Sequence, residues 1–237
     1  MKIPFLVCAV LLVLSLVSSH LIAFPPARHS EIRDASSGSE ISAQQIWADL
    51  MEGNARFMSG KPKFRDLSEL RNGLAEGQHP KAIVLACSDS RVAPELLFDQ
   101  SLGDLFVVRS AGNIADAIGI GSMEYAVEHL GSKVLIVLGH TKCGAVTAAC
   151  SREKMPSPGL QSIVDKIEPA VAKVGKSVKA DDLVETTIKE NIHQSAADIL
   201  ANSEILRHSA EQGNLKVFEA EYELNTGKVI RLEKERP

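Results

Sequence analysis

The chain has 237 residues, of which 45% are hydrophobic, a composition typical of a globular protein long enough to bury a sizeable core. Its 26 basic and 30 acidic residues give a formal net charge of -4, which leaves no broad cationic surface for a phosphate backbone. Nucleic acid is therefore not an expected partner. Four cysteines are too few for a disulfide-built scaffold at this length.

The first segment has the order of a secretory signal peptide. Lys2 precedes the apolar run FLVCAVLLVL at residues 5–14, and small residues follow up to Ser19. A retained membrane anchor is the alternative, but serines interrupt a stretch that is shorter than the ~20 apolar residues of a spanning helix. We expect residues 1–19 to be removed, with cleavage after Ala23 as a second possibility, and the protein to be exported to a periplasm or secreted, without a stable membrane span.

The segment 20–40 is rich in proline, serine and charge and has no apolar period, which predicts a flexible arm. The domain is then expected to occupy residues 41–237. Removal of the first segment leaves three cysteines, and an odd number argues against a simple paired framework in an oxidising compartment.

The domain begins with a predicted amphipathic helix. Ser42 and Gln45 have the spacing of a capping box, and Ile46, Leu50 and Phe57 follow on one helical face.

Three short apolar runs rich in β-branched residues, at 82–86, 105–108 and 134–138, are typical of strands buried on both faces. Helical spacing at 121–130 places a helix between the second and third runs, which makes a strand, helix, strand unit. Two further helices are predicted at 163–174 and 183–206, before a hairpin around Asn225-Thr226-Gly227. The prediction is a single α/β domain with a central, mostly parallel β-sheet flanked by helices.

Candidate metal ligands follow two of these strands. Cys87 comes directly after the first run, His140 follows the third, and Cys143 lies three residues further on. The carboxyl ends of parallel strands are where ligand sites assemble. Two thiolates and an imidazole suit Zn²⁺, and three protein ligands leave the fourth position for water, as in catalytic zinc sites.

Two other interpretations of these residues are open. They could be ordinary packed core residues, or Cys87 and Cys143 could form a disulfide. Cys150 could not pair with Cys143 if both lie on one helix, because seven residues separate them by ~10 Å. We interpret Cys150 as a packed free thiol.

A carboxylate and a guanidinium lie beside the first candidate ligand. In extended backbone, Asp89 and Arg91 point to the same side as Cys87. Asp89 could be a ligand, a base or an acceptor for a bound water, and Arg91 could hold it bidentately. The alternative is a structural salt bridge in a loop.

The segments CSDSRV (87–92) and GHTKCGA (139–145) resemble the paired motifs of the β-class carbonic anhydrases, Cys-x-Asp-x-Arg and, about 50 residues later, His-x-x-Cys. The resemblance runs from about residue 42 to the C-terminus and includes FVVRSAGN and EYAVEHL. It implies a central parallel sheet, one zinc ion per chain, and a homodimer or homotetramer. The implied activity is reversible hydration of CO₂ to bicarbonate and a proton by attack of zinc-bound hydroxide.

The resemblance also implies roles for individual residues. Cys87, His140 and Cys143 match the zinc ligands, and Asp89 with Arg91 matches the dyad that orients the bound water. The substrate-binding positions of the family correspond here to Gln78, Phe106, Tyr125 and Gly144. Phe106 and Tyr125 would line the CO₂ pocket, often from the partner subunit, although plain core packing explains their spacing equally well.

One position departs from part of the family. Members regulated by bicarbonate have tryptophan three residues before the first cysteine, where this chain has Val84. We therefore expect no tryptophan-lined inhibitory site, and Asp89 paired with Arg91 at neutral pH. Two alternative functions remain at this point: a carbon disulfide or carbonyl sulfide hydrolase on the same scaffold, and a noncatalytic zinc-binding assembly protein.

Overall fold

The structure is a computed structural model that describes residues 41–175 and 178–233. The expected signal peptide and arm, residues 1–40, lie outside the described residues. Within the described ranges, no helix is both long enough and apolar enough to cross a membrane.

Five strands in the described ranges form one sheet in the order β2-β1-β3-β4-β5. Their bounds are β1 Ala82–Cys87, β2 Leu105–Ser110, β3 Val134–His140, β4 Lys216–Tyr222 and β5 Val229–Arg231. Neighbouring pairs among β2, β1, β3 and β4 are parallel, and β5 pairs antiparallel with β4. The mostly parallel sheet and the terminal hairpin are thus confirmed.

The described helices connect and cover these strands. They are α1 Ala43–Met58, α2 Leu67–Gly73, α3 Pro94–Leu97, α4 Ala117–Glu128, α5 Gly144–Ser151, α6 Pro158–Val174, α7 Leu183–Asn202 and α8 Glu204–Glu211. The capping box that predicted α1 is half formed, since the Ser42 side chain accepts a hydrogen bond from the Gln45 amide.

The sheet has a hydrophobic core on each face, because alternate residues of a strand point to opposite sides. One core joins Val84 and Ile136 to Leu50 of α1 and Leu97 of α3. The other core joins the opposite face of the strands to helices α4 to α8. Cys87 and Cys143 belong to this second core, so the two candidate sulfur ligands lie on the face with more helices.

The prediction of a single helix over 183–206 is wrong, because the structure has two helices in this region. The chain leaves helical geometry at Ser203, whose φ and ψ are -132° and 113°, and α8 starts there as a new helix. The Ser203 hydroxyl accepts from the Leu206 amide and donates to the Glu124 carboxylate at 2.6 Å. A serine that caps a new helix and bonds a neighbouring one favours a break over continuation.

Candidate metal centre

Two neighbouring parallel strands and one helix bring the three candidate ligands together. Cys87 is the last residue of β1, His140 is the last residue of β3, and Cys143 is the N-cap of α5. Their ligand atoms lie within 4.8 Å of one another, and all three residues are buried. The expectation that strand ends gather these residues is confirmed by this geometry.

The His140 ring is oriented for metal binding through one nitrogen. Its Nδ1 lies 2.9 Å from the Thr141 carbonyl oxygen and donates to it, which leaves the lone pair on Nε2. In the described part of the chain, the buried Nε2 atom has no hydrogen-bond partner. A buried imidazole nitrogen that meets no donor is the group that a metal ion satisfies.

The donor set fits zinc. Tetrahedral zinc with bonds of about 2.0 to 2.3 Å sets its ligand atoms about 3.5 to 3.8 Å apart, so a contraction of roughly 1 Å closes this site. Cys87, Cys143 and Cys150 are free thiols, so the structure does not adopt the disulfide that the sequence left open.

The surroundings of the two thiols favour ionisation of Cys87. A hydrogen bond from the Cys143 thiol lowers the pKa of Cys87, and so do the backbone amides of Asp89 and Gly112 at 3.4 and 3.2 Å from its sulfur. The same thiol–thiol bond, together with burial, raises the pKa of Cys143. The pair therefore shares a proton, which metal binding would release because metal ligands bind as thiolates.

Asp89 and Arg91 form a bidentate ion pair at the rim of the site. The Arg91 Nε and Nη2 atoms donate to the two Asp89 carboxylate oxygens at 2.9 and 2.7 Å, and the Arg91 amide donates to one of them at 2.9 Å. These bonds hold the pKa of Asp89 well below its usual range. Asp89 Oδ2 also lies 3.9 Å from His140 Nε2, so an ionised acceptor stands next to the candidate metal position.

Arg109 of β2 fixes the loop that carries these groups, and the sequence reasoning did not single it out. Its guanidinium donates to the carbonyl oxygens of Cys87 at 3.1 Å and Asp89 at 2.7 Å. The available signal was an arginine in the otherwise apolar strand run LFVVRS. Arg109 therefore ties β2 to the segment that supplies both a candidate ligand and the acidic group.

Gly144 is the one expected substrate-binding residue that lies next to a candidate ligand in the chain. It is the first residue of α5, directly after Cys143, and it is exposed. A Cβ atom placed on Gly144 would meet nothing within 4 Å. The space beside its Cα atom is therefore open.

The other three expected substrate-binding residues do not lie at this site in the same chain. Phe106 pairs in register with Ile83, four residues before Cys87, a separation of ~13 Å along the strand. Phe106 contacts the half-exposed Tyr125, with ring centroids 6.4 Å apart. Gln78 is exposed before β1 begins, at the end of the sheet opposite to Cys87.

These features define the class of the protein as a zinc enzyme of the α/β type. The family model described as carbonic anhydrase matches residues 82–229. Carbonic anhydrase 2 of Mycobacterium tuberculosis strain H37Rv is 38% identical over 190 residues, which cover 78% of this chain and 90% of that protein.

Solved structures agree with the family match. The β-carbonic anhydrase CcaA superposes with a TM-score of 0.65 at 29% identity, covering 79% of this chain and 87% of that chain. The Coccomyxa β-carbonic anhydrase in complex with acetazolamide gives a TM-score of 0.63 at 26% identity, covering 82% and 87%. The chain belongs to the carbonic anhydrase family, in its β class, and zinc is the cofactor of this class.

Proposed function

We propose that the protein catalyses reversible hydration of CO₂ with Cys87, His140 and Cys143 as its zinc ligands. The observation that carries this proposal is the buried Cys-His-Cys cluster with the Asp89 carboxylate 3.9 Å from His140 Nε2. When bound, zinc supplies hydroxide near neutral pH, because it lowers the pKa of a bound water from 15.7 to about 7.

The residues of the chain then orient the reactants. Asp89 is acceptor-only while Arg91 keeps it ionised, so it takes a hydrogen bond from the attacking water and selects the direction of the free lone pair. Arg109 holds the Cys87 and Asp89 backbones in place during this step. The backbone amide of the exposed Gly144, at the start of α5, is suited to an oxygen of bicarbonate.

The alternative functions have less support. The relatives that match most of the chain carry the name carbonic anhydrase, which favours CO₂ over carbon disulfide or carbonyl sulfide. A noncatalytic assembly protein does not need the bidentate Asp89–Arg91 pair.

The test is stopped-flow CO₂ hydration with zinc determined on the same sample. We expect fast turnover with about one zinc per chain, and loss of both in the Cys143→Ser variant. Zinc without turnover would contradict the catalytic function, and absence of both would contradict the metal site.

We also propose a homodimer or a dimer of dimers in which each chain completes the CO₂ pocket of its partner. The support is geometric. Phe106 pairs with Ile83, which lies ~13 Å from Cys87 along β1, and the half-exposed Tyr125 packs beside Phe106. Gln78 is exposed at the far end of β1, so it too would act only on a partner.

Subunit complementation tests this assembly. Asp89→Ala and Tyr125→Ala chains would each be weakly active alone, whereas their mixed dimers would contain one site with both residues intact. We expect activity to rise after the two variants are unfolded and refolded together. No rise, or a monomer by analytical ultracentrifugation, would contradict the shared pocket.

We propose, finally, that the protein is exported and loses residues 1–19. The support is the sequence order alone: one lysine, an apolar run and small residues. N-terminal sequencing of protein recovered outside the cytoplasm should begin at residue 20 or 24. An intact Met1 in the cell interior would contradict export.

A further inference from the structure

A short turn after β2 touches the sulfur of a candidate zinc ligand. The turn is the 3₁₀ segment Ala111–Asn113, and the Gly112 amide in it donates to Cys87 Sγ at 3.2 Å. Gly112 has φ 69° and ψ 21°, in the left-handed region, and Asn113 follows with φ 46°. Two successive left-handed residues do not persist unless the surroundings hold them.

Packing holds one side of the turn. A Cβ atom on Gly112 would lie 2.8 Å from Ile167 Cδ1 and 3.2 Å from Ala145 Cβ. The Gly112 backbone is therefore wedged against α5 and α6, and only glycine combines this close approach with a positive φ. These contacts stop the turn from moving toward the helices, but they do not direct its amide at the sulfur.

A buried side chain from α7 holds the other side. Asn191 is 1% exposed, and its Nδ2 atom donates to the Gly112 carbonyl oxygen at 2.8 Å. The N–H and C=O groups of Gly112 are thus both engaged, the first by Cys87 and the second by Asn191. Rotation of the turn that breaks the bond to the sulfur would leave the Asn191 amide unsatisfied in the core.

We propose that Asn191 is a positioning residue for the Cys87 ligand, acting through the Gly112 peptide. Its bond to the Gly112 carbonyl keeps the Gly112 amide directed at the sulfur, and this amide stabilises the thiolate that binds the metal. The inference rests on the proposed function in that it takes Cys87 as a zinc ligand. Loss of an outer hydrogen-bond partner of a metal ligand typically costs 10–100-fold in metal affinity.

The experiment compares zinc affinity, by chelator competition, in the wild type and in Asn191→Leu. Leucine is close to asparagine in size and donates no hydrogen bond. Asn191→Ser is the second variant, since its shorter side chain keeps a polar group at this buried position but does not reach the Gly112 carbonyl oxygen. We expect both variants to bind zinc 10–100-fold more weakly and to shift the sulfur-to-cobalt absorption band of the Co²⁺-substituted protein.

Asn54→Leu is the matched control. Asn54 is 3% exposed on α1, and its amide donates to the carbonyl oxygens of Leu97 and Gly227. Leu97 belongs to the core on the other face of the sheet from Cys87. Its replacement should lower the urea midpoint without changing zinc affinity or the cobalt spectrum.

The outcomes separate this proposal from the function it rests on. Wild-type zinc affinity and cobalt spectrum in the Asn191 variants would overturn the positioning role. An equal loss of zinc affinity in Asn54→Leu would also overturn it, because general destabilisation would then explain both. Zinc binding without CO₂ hydration in the wild type would contradict the proposed function alone, since the Asn191 comparison is made on metal binding.

Discussion

Gly139 precedes the ligand His140 on the central strand β3, and replacing it with alanine is expected to disturb the core beside the metal site. A Cβ atom at this position would lie 2.5 Å from both Cδ1 and Cγ1 of Ile192 on α7, and 3.4 Å from Asn113 Oδ1. Ile192 is fully buried, and β3 is paired on both sides by β1 and β4. Ile192 must therefore move, because the strand cannot.

The structure sets the size of this effect. Two side-chain atoms would approach closer than van der Waals contact permits, so Gly139→Ala should lower the free energy of unfolding by about 3 kcal/mol, at the upper end of overpacking costs. Ile192→Ala alone should cost about 3 kcal/mol through the cavity that it leaves. In the double variant the new methyl group of residue 139 enters that cavity, and we expect a favourable coupling of about 2 kcal/mol.

Urea unfolding of the four proteins at one fixed zinc concentration measures this cycle, because bound metal would otherwise contribute unequally. Additivity within about 0.5 kcal/mol would refute the argument, since it would mean that the two side chains do not meet. A Gly139→Ala variant as stable as the wild type would refute it as well.

Four further outcomes are expected. Asp89→Ala should retain zinc but lose about 100-fold or more in CO₂ hydration by stopped flow; unchanged turnover would contradict the orienting role. Hydrogen bonding to Glu219 raises the pKa of His193, so this pair stabilises the fold below pH ~6.5 and less as pH rises through the folded pKa. His193→Gln should therefore lower the free energy of unfolding in urea by about 1 kcal/mol at pH 6 and by less at pH 9. Equal losses at the two pH values would contradict this. Asp99→Asn should cost about 2 to 3 kcal/mol in the same assay, because it breaks bonds of a buried carboxylate to Arg56 and Arg65. Chelation of zinc held at 100 times its dissociation constant should remove about 2.7 kcal/mol of stability, seen as a lower unfolding temperature.

The strands β1 and β3 could be predicted because each is a short run of apolar residues buried on both faces. The run of β2 also forms a strand, but the prediction that it is buried on both faces is wrong, because β2 lies at the edge of the sheet and is only partly buried. The ligand cluster could be predicted for a related reason: Cys87 and His140 end neighbouring parallel strands, so the fold class alone brings them together. The break at Ser203 could not, since it depends on a bond to Glu124, 79 residues away in the chain.

The residues that hold the candidate ligands in position could not be predicted from the sequence either. Asn191 lies 79 residues from Gly112 and looks like any polar residue of an amphipathic helix. Its importance appears only when α7 is packed against the turn after β2. Sequence patterns report burial and local geometry, whereas such supporting bonds arise from which elements meet in three dimensions.

The charges around the candidate centre favour a weakly held anionic product. Cys87 and Cys143 as thiolates would balance the two positive charges of a zinc ion, and Asp89 is paired with Arg91, so these groups sum to zero. Arg109 adds one further positive charge, but its guanidinium donates to two backbone carbonyls and is therefore already engaged. Those bonds to neutral carbonyls leave the charge of Arg109 in place, so bicarbonate formed at this site would meet a net charge of about +1 from these groups. That is less than the charge of an unbalanced zinc ion, which suits an enzyme that must release its product in every cycle.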